Sequence, residues 1–117
     1  MSDFRETGGV RMESERAGEA RISRVTYPAG YRWSTHLKPL VGGDWCLHAH
    51  VGYMVSGRMA VEYADGCTEE FAAPGAVVVQ PEHDAWVVGD EAAVFVQVDF
   101  EGETAKRFGL PERHAHS

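Results

Sequence analysis

Tyr53-Met54-Val55-Ser56-Gly57-Arg58-Met59-Ala60-Val61-Glu62-Tyr63-Ala64-Asp65-Gly66-Cys67 is the stretch that decides the fold. Met59, Val61 and Tyr63 recur with period two, so their side chains leave one face of an extended chain. Ala64-Asp65-Gly66 stops that run with the Asp-Gly pair of a tight hairpin, and Cys67 to Phe71 returns. Upstream, Tyr53 to Ser56 reaches Gly57 and the extended pattern resumes at Arg58. Strand, glycine, strand, turn, strand, with no helical period, is the pattern of an antiparallel β domain.

The same punctuation continues outward. Ile22, Val25 and Tyr27 form a strand that ends at Pro28-Ala29-Gly30, and Tyr31 to His36 reads as a short extended run. Pro39 to Asp44 reads as a loop and Trp45 to His50 as extended again. Pro74-Gly75 turns into Val77, Val78 and Val79, a run that suits a strand buried on both faces. Pro81 to Asp84 is a polar loop, and Trp86-Val87-Val88 stops at Gly89-Asp90-Glu91. Ala92 to Phe100 alternates clearly, with Val94, Val96, Val98 and Phe100 on one side. Thr104 to Phe108 offers one helical turn. Eight to ten short strands without a helix of ordinary length imply an all-β sandwich or barrel over residues 21–108. Residues 1–20 carry Gly8, Gly9, Gly18 and many charges, and read as a flexible or dimer-contacting arm. Residues 109–117 form a polar tail.

A length of 117 residues suits one domain with one core. Apolar residues at 44% and charged ones at 25% match ordinary soluble proteins. The net charge of −7 disfavours a phosphate-binding surface, so neither nucleic acid nor an anionic membrane is an expected partner. The first residues are acidic and polar where a signal peptide is basic and then apolar, which points to the cytoplasm. Cys46 and Cys67 are then expected as reduced thiols.

The chemistry lies in the histidines. His48 and His50 are two apart on an extended segment and share a face with Cys46. Cys-x-His-x-His lines up three donors that zinc and other late first-row metals accept. A single buried histidine with both nitrogens hydrogen-bonded needs no metal. Several imidazoles from neighbouring segments, here His36, His48, His50 and His83, are different. Each unsatisfied polar group costs about 1–3 kcal/mol to bury, and one metal would satisfy them together. Cys46 reads as a further ligand, a reactive thiol or a small buried apolar residue. Lys38 either holds a substrate carboxylate or carbonyl, or sits exposed at a strand end. Trp33, Trp45, Trp86 and Tyr53 either line a pocket for a flat ligand or fill the core. Glu82 and Asp84 orient a histidine or lie in a solvated loop. His114 and His116, in the polar tail, receive no role.

From about Ile22 to Phe100 the chain resembles a small single-domain cupin of the cupin 2 conserved barrel type. The family's first motif is G-x5-H-x-H-x(3,4)-E-x6-G and its second is G-x5-P-x-G-x2-H. One register of the first motif uses Gly42, His48, His50 and Gly57, and lacks the glutamate. The other opens on Pro28-Ala29-Gly30, reaches His36-Leu37-Lys38, and puts His50 at the glutamate position seven before Gly57, with Pro39 to Ala49 inserted. This second register is the better fit. In the second motif Gly75 and Pro81 match, but His83 follows Pro81 by two residues instead of five. The resemblance implies a double-stranded β-helix, or jelly roll, and a divalent metal held by His36, His48, His50 and His83. Zinc is the first expectation, with nickel, iron or manganese as alternatives. It also implies a homodimer and a small-molecule ligand near Lys38, Trp33, Tyr53 and Trp86. The expected function is a metal-dependent enzyme acting on a small organic molecule, the alternative a non-catalytic binding or sensing module.

Overall fold

A computed structural model describes residues 3–111. Nine strands stand among these residues: β1 (Asp3–Thr7), β2 (Val10–Ala17), β3 (Ala20–Tyr27), β4 (His50–Ser56), β5 (Arg58–Tyr63), β6 (Thr68–Ala72), β7 (Gly75–Val79), β8 (His83–Val87) and β9 (Ala93–Asp99). They form a six-stranded sheet in the order β1-β2-β3-β9-β4-β7 and a three-stranded sheet in the order β6-β5-β8. Every pairing is antiparallel. The sheets face each other without closing into a continuous ring.

Period-two alternation sets what lies between them. From the large sheet Val10, Val25, Met54, Val77, Val79, Ala93 and Phe95 are buried, and from the small sheet Met59, Val61, Tyr63 and Val87. The Met59–Val61–Tyr63 face is therefore inward, as its sequence alternation requires. Asp65-Gly66 makes the expected hairpin: Gly66 has φ 91°, and the Asp65 carboxylate accepts the Cys67 N–H at 2.9 Å. Gly57 has φ 77° and leaves no room for a side chain, since a Cβ there would stand 2.5 Å from the Ala92 carbonyl oxygen.

Several sequence expectations change. Within the segment read as an arm, the described residues form β1 and β2; β1 pairs with β2, and β2 with β3. The glycines of that segment belong to turns, with Gly8, Gly9 and Gly18 all at positive φ. Tyr31 to His36 is not extended: Trp33–His36 is a one-turn helix, α1, and Lys38–Val41 is a second, α2. The first is pinned from outside its own sequence. Asp84 on β8 accepts the Ser34 N–H at 3.0 Å, the Ser34 hydroxyl at 2.8 Å and the Arg32 Nε–H at 3.0 Å. Trp45 to His50 contributes only an isolated bridge from Cys46 to His83 before β4 begins. On β9 the alternation is real, but Val94, Val96 and Val98 lie on the outer face while Ala93, Phe95 and Gln97 are buried. The valine run of β7 is not buried on both faces, because Val78 is exposed. Thr104–Arg107 forms the expected single helical turn, α3. His114 and His116 lie outside the described residues.

Candidate metal centre

Three donors converge between the sheets. Cys46, His50 and His83 each present one ligand atom within 4.8 Å of the other two. His50 opens β4 on the large sheet and shares its inward face with Gly52 and Met54. His83 opens β8 on the small sheet and pairs with Tyr63. The two imidazoles meet across the sandwich edge to face, with centroids 5.2 Å apart. Cys46 is tied to β8 by its backbone: its N–H donates to the His83 carbonyl at 2.8 Å, and its carbonyl accepts the Glu82 N–H at 2.8 Å. Glu82 turns the chain into β8 with φ 66°, a left-handed conformation that costs a non-glycine residue about 1–3 kcal/mol.

The hydrogen bonds set the tautomers. A carbonyl oxygen only accepts, so His83 Nδ1, 2.8 Å from the Gln80 carbonyl, carries the proton. His50 Nδ1 likewise donates to Gln97 Oε1 at 2.9 Å. Each ring thus keeps a lone pair on Nε2, and His50 Nε2 lies 4.0 Å from Cys46 Sγ. Outer partners of this kind orient metal-ligating histidines.

Electrostatics keeps both rings neutral. Burial, and then the neighbouring His50, push the His83 pKa down to about 3. Burial also lowers that of His50, against the Gln97 hydrogen bond. Burial pushes the Cys46 thiol up to about 11, so without a cation nearby it stays protonated. A bound divalent ion reverses that preference and takes the thiolate. A tetrahedral ion with Zn–S near 2.3 Å and Zn–N near 2.0 Å needs donor separations of about 3.3–3.6 Å. The group, with donor atoms up to 4.8 Å apart, is slightly wider than this. Two neutral imidazoles and one thiol therefore fit a borderline-soft divalent ion.

The other sequence candidates are dispersed. His48 is exposed, with Nδ1 3.9 Å from Cys46 Sγ, at the edge of the group. His36 sits exposed on α1, where its Nδ1 lies 3.1 Å from the Arg32 carbonyl and its ring stacks on Tyr31 at 5.8 Å. It takes no part in the donor group, because the helical turn replaced the strand that would have aimed it inward. Lys38 lies 3.8 Å from Asp44 and does not line the cavity described below. Tyr53 alternates with buried Met54 and faces outward, about half exposed. Trp86 alternates with His83 through Ala85 and also faces outward, under the Arg32 guanidinium at 4.5 Å. Trp33 is buried and lines the cavity. Cys46 is the residue sequence reasoning undervalued. Its signal was the spacing Cys46-x3-His50-x6-Gly57, which matches H-x(3,4)-E-x6-G with cysteine for the second histidine and histidine for the glutamate.

The donor group opens onto a cavity of about 730 Å³. Its walls are mainly aliphatic and aromatic. His48, His50 and His83, together with Gln97, bring polar atoms to it, and Arg21, Asp99 and Glu101 are its charged residues.

No protein-family model matches the chain, and no curated protein matches it. Solved structures do. A cupin 2 conserved barrel domain protein from Salinispora arenicola is 17% identical, with 92% of this chain and 88% of that one covered and a TM-score of 0.61. An RmlC-like cupin family protein with a double-stranded β-helix fold, from Methanocaldococcus jannaschii, is 13% identical over 94% of this chain and 95% of that one, with a TM-score of 0.57. KdgF from a Halomonas species is 16% identical over 82% and 84%, with a TM-score of 0.56. This chain has the fold of a small cupin domain. At these identities the likeness carries the fold alone, so this chain's chemistry rests on its own donor group and cavity.

Proposed function

We propose that this cupin domain binds one divalent metal ion through Cys46 Sγ and the Nε2 atoms of His50 and His83, and acts as a metal-dependent enzyme on a small organic molecule. The observation that carries the reading is the convergence of three donors, two from facing sheets and one from the loop bridged to His83, with both imidazole tautomers set by Gln97 and Gln80. A mixed sulfur and nitrogen set without a carboxylate favours zinc over manganese or iron, with nickel next. Three protein donors leave a coordination position for a substrate, a water or His48, as catalytic zinc sites do. A metal held there supplies Lewis acidity to a bound carbonyl or water. The chain's own residues hold the donors in register, exclude bulk water with aromatic walls and keep the imidazoles neutral. Cys46 and Cys67 form no disulfide with each other, which accords with a reducing cytoplasm. The outer face of the large sheet, with Tyr53, Val55 and Val78 exposed, is the patch a homodimer would cover.

One observation favours a binding or sensing module instead. The carboxylates lining the cavity among the described residues are Asp99 and Glu101, and both are engaged, by Arg21 at 3.2 Å and Arg16 at 3.5 Å. Neither is poised as a general base. Metal analysis by mass spectrometry on untagged protein tests the common part. Near-stoichiometric metal that is lost in Cys46→Ser and His83→Ala supports the centre; no metal after incubation with zinc, nickel, iron or manganese removes it. Turnover by the loaded protein then separates enzyme from sensor.

A further inference from the structure

Lys38, the residue best suited by sequence to hold an anionic substrate, is outside the cavity and beside Asp44. The charged residues that do line it are Arg21, Asp99 and Glu101. Arg21 is the one cation among them, and it is spent on a forked contact with Asp99, Nε to Oδ2 at 3.4 Å and a terminal nitrogen to Oδ1 at 3.2 Å. The register places them directly opposite each other on β3 and β9, so the pairing is built into the sheet. Glu101 is paired with Arg16 at 3.5 Å. Each lining carboxylate is thus matched by an arginine, within a chain of net charge −7. Without a bound metal, an anion entering here would find no unpaired cation among the described lining residues, and desolvating a charge without a partner is costly. The remaining wall is suited to something else. Tyr27 and Tyr31 stand 5.0 Å apart, and Trp33, Trp45, Phe71 and Phe95 complete an aromatic lining. A cavity of this size and character buries a small apolar molecule well.

We propose that the cavity, free of metal, takes a neutral, flat, mainly apolar molecule, and discriminates against carboxylates of the same shape. Resting on the metal-centre reading, a single uncharged Lewis-basic heteroatom on that molecule would face Cys46, His50 and His83. The apolar selectivity stands without the metal, so the two parts fail separately.

The test is displacement of the neutral fluorophore N-phenyl-1-naphthylamine from the full chain, freed of metal by EDTA and dialysis, at pH 7. The expected result is saturable, blue-shifted emission, displaced by 2-naphthol at least tenfold more effectively than by 2-naphthoate. Ala85→Phe, which fills the inner face of β8, abolishes binding with a cooperative melt retained. Asp99→Asn frees Arg21 and narrows the discrimination by improving 2-naphthoate alone. Equal or better displacement by 2-naphthoate in the unmodified protein, or no saturable emission, overturns the proposal. Because Asp99→Asn leaves the apolar wall untouched, it reads the charge argument even if Ala85→Phe fails to fold. Zinc-loaded protein that binds 2-naphthol no more tightly than naphthalene removes the heteroatom clause alone. Metal content, measured on the same samples, reports on the metal centre independently.

Discussion

Residues 50–99 and residues 28–49 obey different rules. In the first region strands follow one another through short turns, and register aims each side chain. His50, Gly52 and Met54 point inward, and Tyr53 and Val55 outward, because pairing with β7 and β9 leaves no other choice. In the second region two four-residue helices and a loop take their positions from partners elsewhere, chiefly Asp84 and His83 on β8. Both regions carry histidines. Those on the ladders, His50 and His83, meet; those off them, His36 and His48, end exposed. Residue type nominates a ligand, but a hydrogen-bonded backbone aims it.

The largest expected contrast is in metal binding. His83→Ala should weaken zinc binding by more than the roughly hundredfold that loss of an outer-shell partner can cost. His36→Ala should leave it within about twofold, read by competition with a chromophoric chelator. Comparable losses from both would erase the distinction between the regions.

Acid should act next, through the ladder histidines. The His83 pKa falls from 6.5 to about 3 in the folded protein, and that of His50 moves the same way. The unfolded chain takes up protons below pH 6.5 while the folded metal-free protein does not. Stability is therefore full above pH 6.5 and falls as the pH drops from there toward 3, by up to about 1.4 kcal/mol per unit for His83. Urea unfolding of metal-free protein at pH 7, 5 and 4 measures it. His83→Gln should flatten the profile, and a profile equally steep in that variant would place the effect elsewhere.

Glycines sharpen the comparison further. Gly57→Ala combines a left-handed backbone, worth about 1–3 kcal/mol, with overlap against Ala92 and, at the start of β9, Ala93. Gly30→Ala meets nothing within 4 Å and carries only the conformational cost. Thermal melts should show the larger drop for Gly57→Ala; equal drops would mean that the strand region yields as easily as the loop.

The smallest expected effect belongs to Gln97→Leu. It removes the acceptor for His50 Nδ1–H and should reduce metal affinity about 10–100-fold, with melting temperature little changed in the loaded protein. Unchanged affinity would show that β4 alone holds the ring.

Much of the architecture was legible in advance because its causes are local. Period-two alternation over 59–63, the Asp65-Gly66 turn and the glycine at 57 act over a few residues, and each appears where its pattern implies. Errors arose where local pattern was ambiguous. Tyr31 to His36 has β-type composition, yet Asp84, some fifty residues away, captures Ser34 and Arg32 and closes a helical turn. The valines of β9 alternate as read, but which parity faces the core depends on the partner strands. That Gly8, Gly9 and Gly18 mark turns of paired strands instead of an unstructured arm likewise depends on β3 offering a free edge.

The candidate site divides along the same line. Composition and motif spacing alone establish a small β domain of cupin pattern, negative net charge and a supply of histidines in its central segments. They hold because turn residues, alternation and charge are properties of neighbours in the chain. That Cys46 joins His50 and His83, that Lys38 stands outside, and that Arg21 is neutralised by Asp99 were decided by how the sheets and the loop pack. Donor convergence is a distance between segments far apart in sequence, and only packing sets that distance.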